Sequence, residues 1–234
     1  MNSAQFHKLI DADNFEFSPE CLTRELLISY DRHGKSAVCK LAVAGKFSMV
    51  PEHFISNELL FLPSSSILAE PEDVEEETWT PLDGIIINKQ FMLLPPMFRT
   101  AETLLRPQTG GWTGLHVAAS FGVLQQFPAE FLTEENLCIP KNNGQNCFHL
   151  SALNGYLAQI PSTSISTPAL LLEDSDNLTP LHYALECADT PLFTMPVDEQ
   201  CRPILGGVLD IILATQAACR GLQVESLESE VDLF

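Results

Sequence analysis

Apolar positions along this chain come in short blocks, each opened by a polar residue, and the blocks return at a fixed step. The clearest is Thr179-Pro180-Leu181-His182-Tyr183-Ala184. A step back of 33 residues reaches Asn146-Cys147-Phe148-His149-Leu150-Ser151-Ala152, and another of 33 reaches Thr113-Gly114-Leu115-His116-Val117-Ala118-Ala119. A third step of 33 gives Thr80-Pro81-Leu82-Asp83-Gly84-Ile85-Ile86, and one of 44 gives Ser36-Ala37-Val38-Cys39-Lys40-Leu41-Ala42. Each block predicts a helix. Thr or Ser at its first position can accept an orphan backbone N–H, and Pro beside it is tolerated at the first helical position. Small residues five and six along let neighbouring helices approach closely. Gly45, Gly122 and Gly155 fall where the helix ends, a place that suits a left-handed residue.

Further markers keep the same phase. Pro51, Pro95, Pro128 and Pro161 each stand fifteen residues after a block's first position. Ser56, Thr100, Thr133 and Ser166 come five later, and Leu60, Leu104, Leu137 and Leu170 four beyond those. The unit therefore reads as a first helix, a short second helix ending near a proline, Ser or Thr, a one-turn coil, Leu and a polar turn. Gly34, Gly111, Gly144 and Asn177 precede the blocks by two, at a turn position where Gly and Asn tolerate positive φ. The Thr80 unit is the most degenerate. It carries Thr78 at the turn, Asp83 in place of His and Lys89 in place of Gly.

This pattern resembles the ankyrin repeat, whose Thr-Pro-Leu-His signature opens the first helix of each unit of about 33 residues. The resemblance implies an all-α, helix-turn-helix repeat solenoid without a catalytic site. It also implies that His116, His149 and His182 hydrogen-bond backbone across units. One domain is expected over residues 1–222, with units starting near 36, 80, 113, 146 and 179. An N-terminal capping unit is expected over about 3–35, with Thr23 at the second-half Ser/Thr position, and a C-terminal capping helix over about 204–221. Terminal units of solenoids are atypical because one side faces water. The 44-residue step contains an insertion at about 62–76, and an acidic tail covers 223–234.

Charge changes the picture more than length does. The 234 residues carry 12 Lys and Arg against 31 Asp and Glu, a formal net charge of −19. Such a surface disfavours nucleic acid and anionic membranes and favours a basic protein partner. Surplus acid also serves simply to keep a rather apolar chain in solution. The insertion, which runs through Glu70-Pro71-Glu72-Asp73-Val74-Glu75-Glu76-Glu77, is either a solvated loop or an acidic arm for that partner. Seven dispersed cysteines without a C-x-x-C pair argue against a disulfide framework and fit a reducing compartment. No secretory signal or long apolar stretch is recognised, so the chain is expected to be cytoplasmic, outside membranes and monomeric on its own.

Catalytic chemistry finds little support. Cys147 with His149, and Cys187 with His182, are the pairs that an enzyme or metal-binding reading would use. Neither brings a third orienting group. Successive histidines sit one repeat apart, about 10 Å in packed helices, too far to share a metal. No cofactor is implied.

The resemblance instead implies a concave binding face built from first helices and turn tips. Its exposed positions would be the fifth, eighth and ninth of each block: Lys40, Val43 and Ala44; Gly84, Ile87 and Asn88; Val117, Ser120 and Phe121; Leu150, Leu153 and Asn154; Tyr183, Glu186 and Cys187. Phe121, Leu150, Leu153 and Tyr183 would form an apolar patch, the usual mark of an interface. The alternative is a rotation of the helices that packs some of them internally. Trp79 and Trp112 lie one step apart on neighbouring turn tips, as interface anchors or as rings folded onto the next turn. Together with Glu75, Glu76 and Glu77 these residues form the candidate partner surface. The expected function is a non-catalytic protein-binding scaffold, in its sharper form an acidic inhibitor or immunity-type protein neutralising a basic partner.

Overall fold

The computed structural model describes residues 1–12, 19–65 and 78–188. Their regular structure is helical apart from one two-residue strand pair and an isolated bridge. In chain order the helices are α1 (Ser3–Ile10), α2 (Arg24–Leu27), α3 (Ala37–Val43), α4 (Asn57–Leu60), α5 (Pro81–Ile87) and α6 (Ala101–Leu105). They continue with α7 (Gly114–Ser120), α8 (Glu134–Leu137), α9 (Cys147–Leu153), α10 (Thr167–Leu170) and α11 (Pro180–Ala188). The odd-numbered helices are the block helices. Each packs on the next, α1 on α3, α3 on α5, α5 on α7, α7 on α9 and α9 on α11.

The even-numbered helices replace the coil expected before the Leu marker. Thr23, Ser56, Thr100, Thr133 and Ser166 cap them by accepting the N–H three residues on, at 3.2–3.3 Å. One helical turn suffices to bring Leu60, Leu104, Leu137 and Leu170 into the core beside Leu41, Leu82, Leu115 and Phe148. These side chains lose nearly all contact with solvent, each burial stabilising by roughly 1.5–3 kcal/mol.

The short second helix does not form. Two separate 3-10 turns flank the proline instead, as in Phe47–Met49 and Glu52–Phe54 around Pro51. The cause is steric. A residue before proline is driven out of the α region, and Val50, Leu94, Phe127 and Ile160 accordingly hold ψ of 119°, 152°, 145° and 129°. An intact second helix would need α geometry at that residue and an N–H that proline lacks.

Close contact between first helices is tightest at Gly84. A Cβ there would lie 2.7 Å from the backbone nitrogen of Val43 and 2.8 Å from the carbonyl carbon of Ala42. Only glycine fits. At the other end of the units the turns touch through backbone, Asn142 N–H donating to the Gly110 carbonyl and Ser175 N–H to that of Asn143, each at 3.0 Å.

The degenerate Thr80 unit is entered through β2 (Thr78–Trp79), which pairs antiparallel with β1 (Ser64–Ser65), Ser64 opposite Trp79. Residues 66–77 of the insertion, and with them Glu75, Glu76 and Glu77, lie outside the described residues, as do the expected capping helix at 204–221 and the tail at 223–234. At the N-terminus the cap of α1 is Asn2 rather than Ser3, one residue out of the 33-residue register. Its side chain accepts the Gln5 N–H, and the Gln5 side chain reaches back to the Asn2 N–H. No described helix is long and apolar enough to cross a membrane.

Candidate interaction surface

Each block helix from α3 onward begins with the same problem, a buried cap residue whose own N–H must find an acceptor. His116 solves it for Thr113: its Nδ1 accepts the Thr113 N–H at 3.1 Å and the Thr113 hydroxyl at 2.8 Å. The Nε2 then carries the proton and donates to the Ile139 carbonyl of the next turn at 2.8 Å. His149 repeats the arrangement, with Nδ1 accepting from Asn146 N–H and Nε2 donating to the Leu178 carbonyl, both at 3.2 Å. The Nδ1 of His182 accepts from Thr179 N–H at 3.0 Å. Burial lowers the pKa of His116 to about 4, the carbonyl hydrogen bond opposing and nearby Lys141 adding to it. Burial also lowers that of His149, against its backbone hydrogen bonds and Asp174.

Two units lack the histidine and use other atoms. Asp83 Oδ2 accepts the Thr80 N–H at 2.8 Å and the Thr80 hydroxyl at 2.9 Å. A carboxylate cannot donate onward to a carbonyl, and here Gln108 supplies the donor, its Nε2 reaching Asp83 Oδ1 at 3.0 Å. Burial raises the pKa of Asp83, with these hydrogen bonds working against the rise. In the first unit Cys39 stands at the histidine position, and the Ser36 N–H turns to the Ser64 hydroxyl at 2.9 Å. Burial pushes the Cys39 thiol up to about 12.

These bonds bear directly on the Cys/His pairs. Cys147 is fully buried and burial pushes its thiol pKa upward, while both ring nitrogens of His149 are engaged with backbone. A reactive cysteine needs thiolate character and access. The side chain of Cys187 lies outside the described residues. Among those described, no group of three or more His, Cys, Asp or Glu is placed to hold a metal ion.

The expected partner surface divides in two. Val117, Leu150 and Tyr183 are 6%, 4% and 8% exposed, so the fifth block position is core rather than surface. Lys40 and Gly84 at the same position are buried too. The reason is the rotation of the first helices, which turns this position toward the neighbouring helix, as the contact of Gly84 with α3 shows. The Tyr183 hydroxyl donates to Asp174 Oδ2 at 2.7 Å and accepts from Gln145 Nε2 at 2.8 Å. Its ring meets that of His149 edge on at 5.9 Å. Solvent reaches the helix ends instead. Phe121 is 39% and Leu153 42% exposed, beside the exposed Asn154, whose amide donates to the Leu150 carbonyl at 2.8 Å. Glu186 belongs to α11, and its side chain lies outside the described residues.

The two tryptophans have different surroundings. Trp79 reaches the C-terminal end of α7, where its ring meets Phe121 edge to face at 5.8 Å. Trp112 packs against the core, edge on to His116 at 6.3 Å, with Lys141 Nζ 4.0 Å above its ring. Trp79 and Phe121 thus form a partly exposed apolar pair at the end of α7, with exposed Leu153 at the end of the next first helix, α9, while Trp112 is packed against the core.

One apolar group escaped the sequence reading. Met92, Leu93 and Met97, in the 3-10 turns around Pro95, are 44%, 65% and 74% exposed. The signal was available in the repeat itself. The same positions hold Ser48, Met49 and His53, then Gln125, Gln126 and Glu130, then Ala158, Gln159 and Thr163. Compared with known proteins, the chain matches no family model, and no curated protein is significantly similar to it in sequence.

Proposed function

We propose that the chain is an ankyrin-type repeat solenoid that serves as a non-catalytic scaffold, holding a basic protein partner against the ends of its first helices. The observation that carries this reading is the strip of Trp79, Phe121 and Leu153. Phe121 and Leu153 are exposed there and Trp79 partly so, although α7 and α9 bury their other apolar positions. Exposed apolar surface of this kind marks interaction sites, and the net charge of −19 selects a basic partner. The recurring cap and cross-unit hydrogen bonds support the repeat reading, since each unit completes its neighbour. The buried thiol of Cys147 and the engaged imidazole of His149 weigh against chemistry on the repeat helices.

The test is replacement of Phe121 and Leu153 together by Asp, with far-UV circular dichroism to follow the fold. A partner purified with the full chain is expected to be lost from the double variant, and its association rate with the wild type to fall steeply between low and physiological salt. Undiminished capture by a folded variant overturns the surface, and a salt-independent rate overturns the basic partner.

A further inference from the structure

Leu93 and Met97 are the most exposed large apolar side chains among the described residues, and Met92 stands beside them on the same pair of 3-10 turns. The fold does not require them. Three sister units place mostly small or polar residues at these positions, and buried Phe91 and Leu94 already anchor the segment to the core. The local charge is as unusual as the exposure. Lys89 comes three residues before Met92. Lys46 follows Gly45, whose carbonyl accepts the Gln90 side-chain amide at 2.7 Å, so the two lysines flank one edge of the patch. Both are exposed, and neither ammonium has an ion-pair partner among the described residues. At the opposite end the units on either side of Met97 carry exposed Glu52 and Glu130 in nearly the same register.

We infer that this edge is a second docking site, one that takes an acidic segment with apolar side chains from a partner protein. Charge complementarity fixes the occupant. Two exposed lysines without an ion-pair partner among the described residues present positive charge, in which a chain of net charge −19 is poor. Met and Leu together form an adaptable apolar seat, Met being unbranched and able to repack around varied side chains. Acidic groups of the bound segment lie over Lys46 and Lys89, its apolar groups cover Met92 and Leu93, and its end near Met97 is free of acid because Glu52 and Glu130 repel it. The site uses the turns after α3 and α5 and no residue of the first-helix strip. It therefore stands or falls separately from the partner surface proposed above.

The experiment follows the methionine methyl signals of the full chain, labelled with ¹³C at methionine, during titration with a short synthetic peptide alternating Glu with Leu and Phe. A second titration uses the same peptide with Lys in place of Glu. The Met92 and Met97 signals, assigned through Met92→Leu and Met97→Leu, are expected to shift with the acidic peptide alone. Lys46→Glu with Lys89→Glu is expected to weaken binding about tenfold, as the loss of two exposed charge pairs implies, while leaving the methyl spectrum of the free chain native-like. Equal response to the basic peptide, or unchanged affinity in the charge-reversed chain, overturns the proposal. So does a peptide-free shift that depends on protein concentration, which assigns the patch to a second copy. A peptide-free shift on adding salt assigns it to the chain's own acidic segments and overturns the proposal equally.

Discussion

The carboxylate of Asp83 takes the side-chain amide of Gln108 at 3.0 Å, at the place where neighbouring units aim an imidazole N–H at a carbonyl. The pair shows that the unit conserves a hydrogen-bonding task and not a residue type. Gln108→Ala leaves one oxygen of a buried carboxylate without its donor and is expected to cost about 2–3 kcal/mol in urea denaturation. Asp83→Asn keeps the capping acceptor and loses the charge. Because the folded pKa of Asp83 lies above its unfolded value, the wild type should gain stability relative to Asp83→Asn as pH falls through the folded pKa. A difference between the two proteins that does not change with pH would contradict this account.

His116 works in the opposite direction. Its folded pKa is lowered to about 4 from an ordinary value near 6.5, so protonation favours the unfolded chain. Stability is therefore complete above about pH 6.5 and falls as the pH drops toward 4, by on the order of 3 kcal/mol for this residue. His149 adds to the loss in the same sense. Urea midpoints measured from pH 7.5 to 4 should decline, and His116→Gln should flatten the curve while lowering its upper plateau.

Gly84→Ala forces a methyl group into the backbone of α3. Helix propensity alone would favour alanine by about 1 kcal/mol, but the collision outweighs it. A net destabilisation of roughly 1–3 kcal/mol is expected from overpacking, read as a lower thermal midpoint. A gain in stability would mean that α3 and α5 can move apart freely.

Trp79 reports on the apolar strip. In a Trp112→Phe background the remaining indole is expected to shift its emission to the red when Phe121 is replaced by Ala, because its edge-to-face partner is gone and water takes its place. An emission spectrum indifferent to Phe121 would place the ring elsewhere in solution.

Much of the local structure was legible in the sequence because it depends on chemistry within a few residues. The capping Ser and Thr, the Leu markers and the positive-φ turns at Gly34, Gly111, Gly144 and Asn177 are of this kind. The expected one-turn coil is a one-turn helix because the Ser or Thr before it, a mere marker in the sequence, caps the turn that follows. Helix rotation was not legible. Val117, Leu150 and Tyr183 share a spacing with surface positions, and only the neighbouring helix decides which side of the block is covered. The prolines were seen, but their effect on the preceding residue was understated, and a second helix was expected where two 3-10 turns lie. Trp79 and Trp112 look equivalent in sequence and diverge because one has Phe121 within reach and the other Lys141.

The short ladder between Ser64–Ser65 and Thr78–Trp79 has a consequence for engineering. It closes the base of the insertion, and Ser64 caps Ser36 from that base. Ser65 and Thr78 are thereby held side by side whatever is set between them. Closing a longer loop adds only about 0.6 kcal/mol per doubling of its length. Foreign sequence could therefore be spliced in place of residues 66–77, making this a port for cargo, provided Ser64 stays.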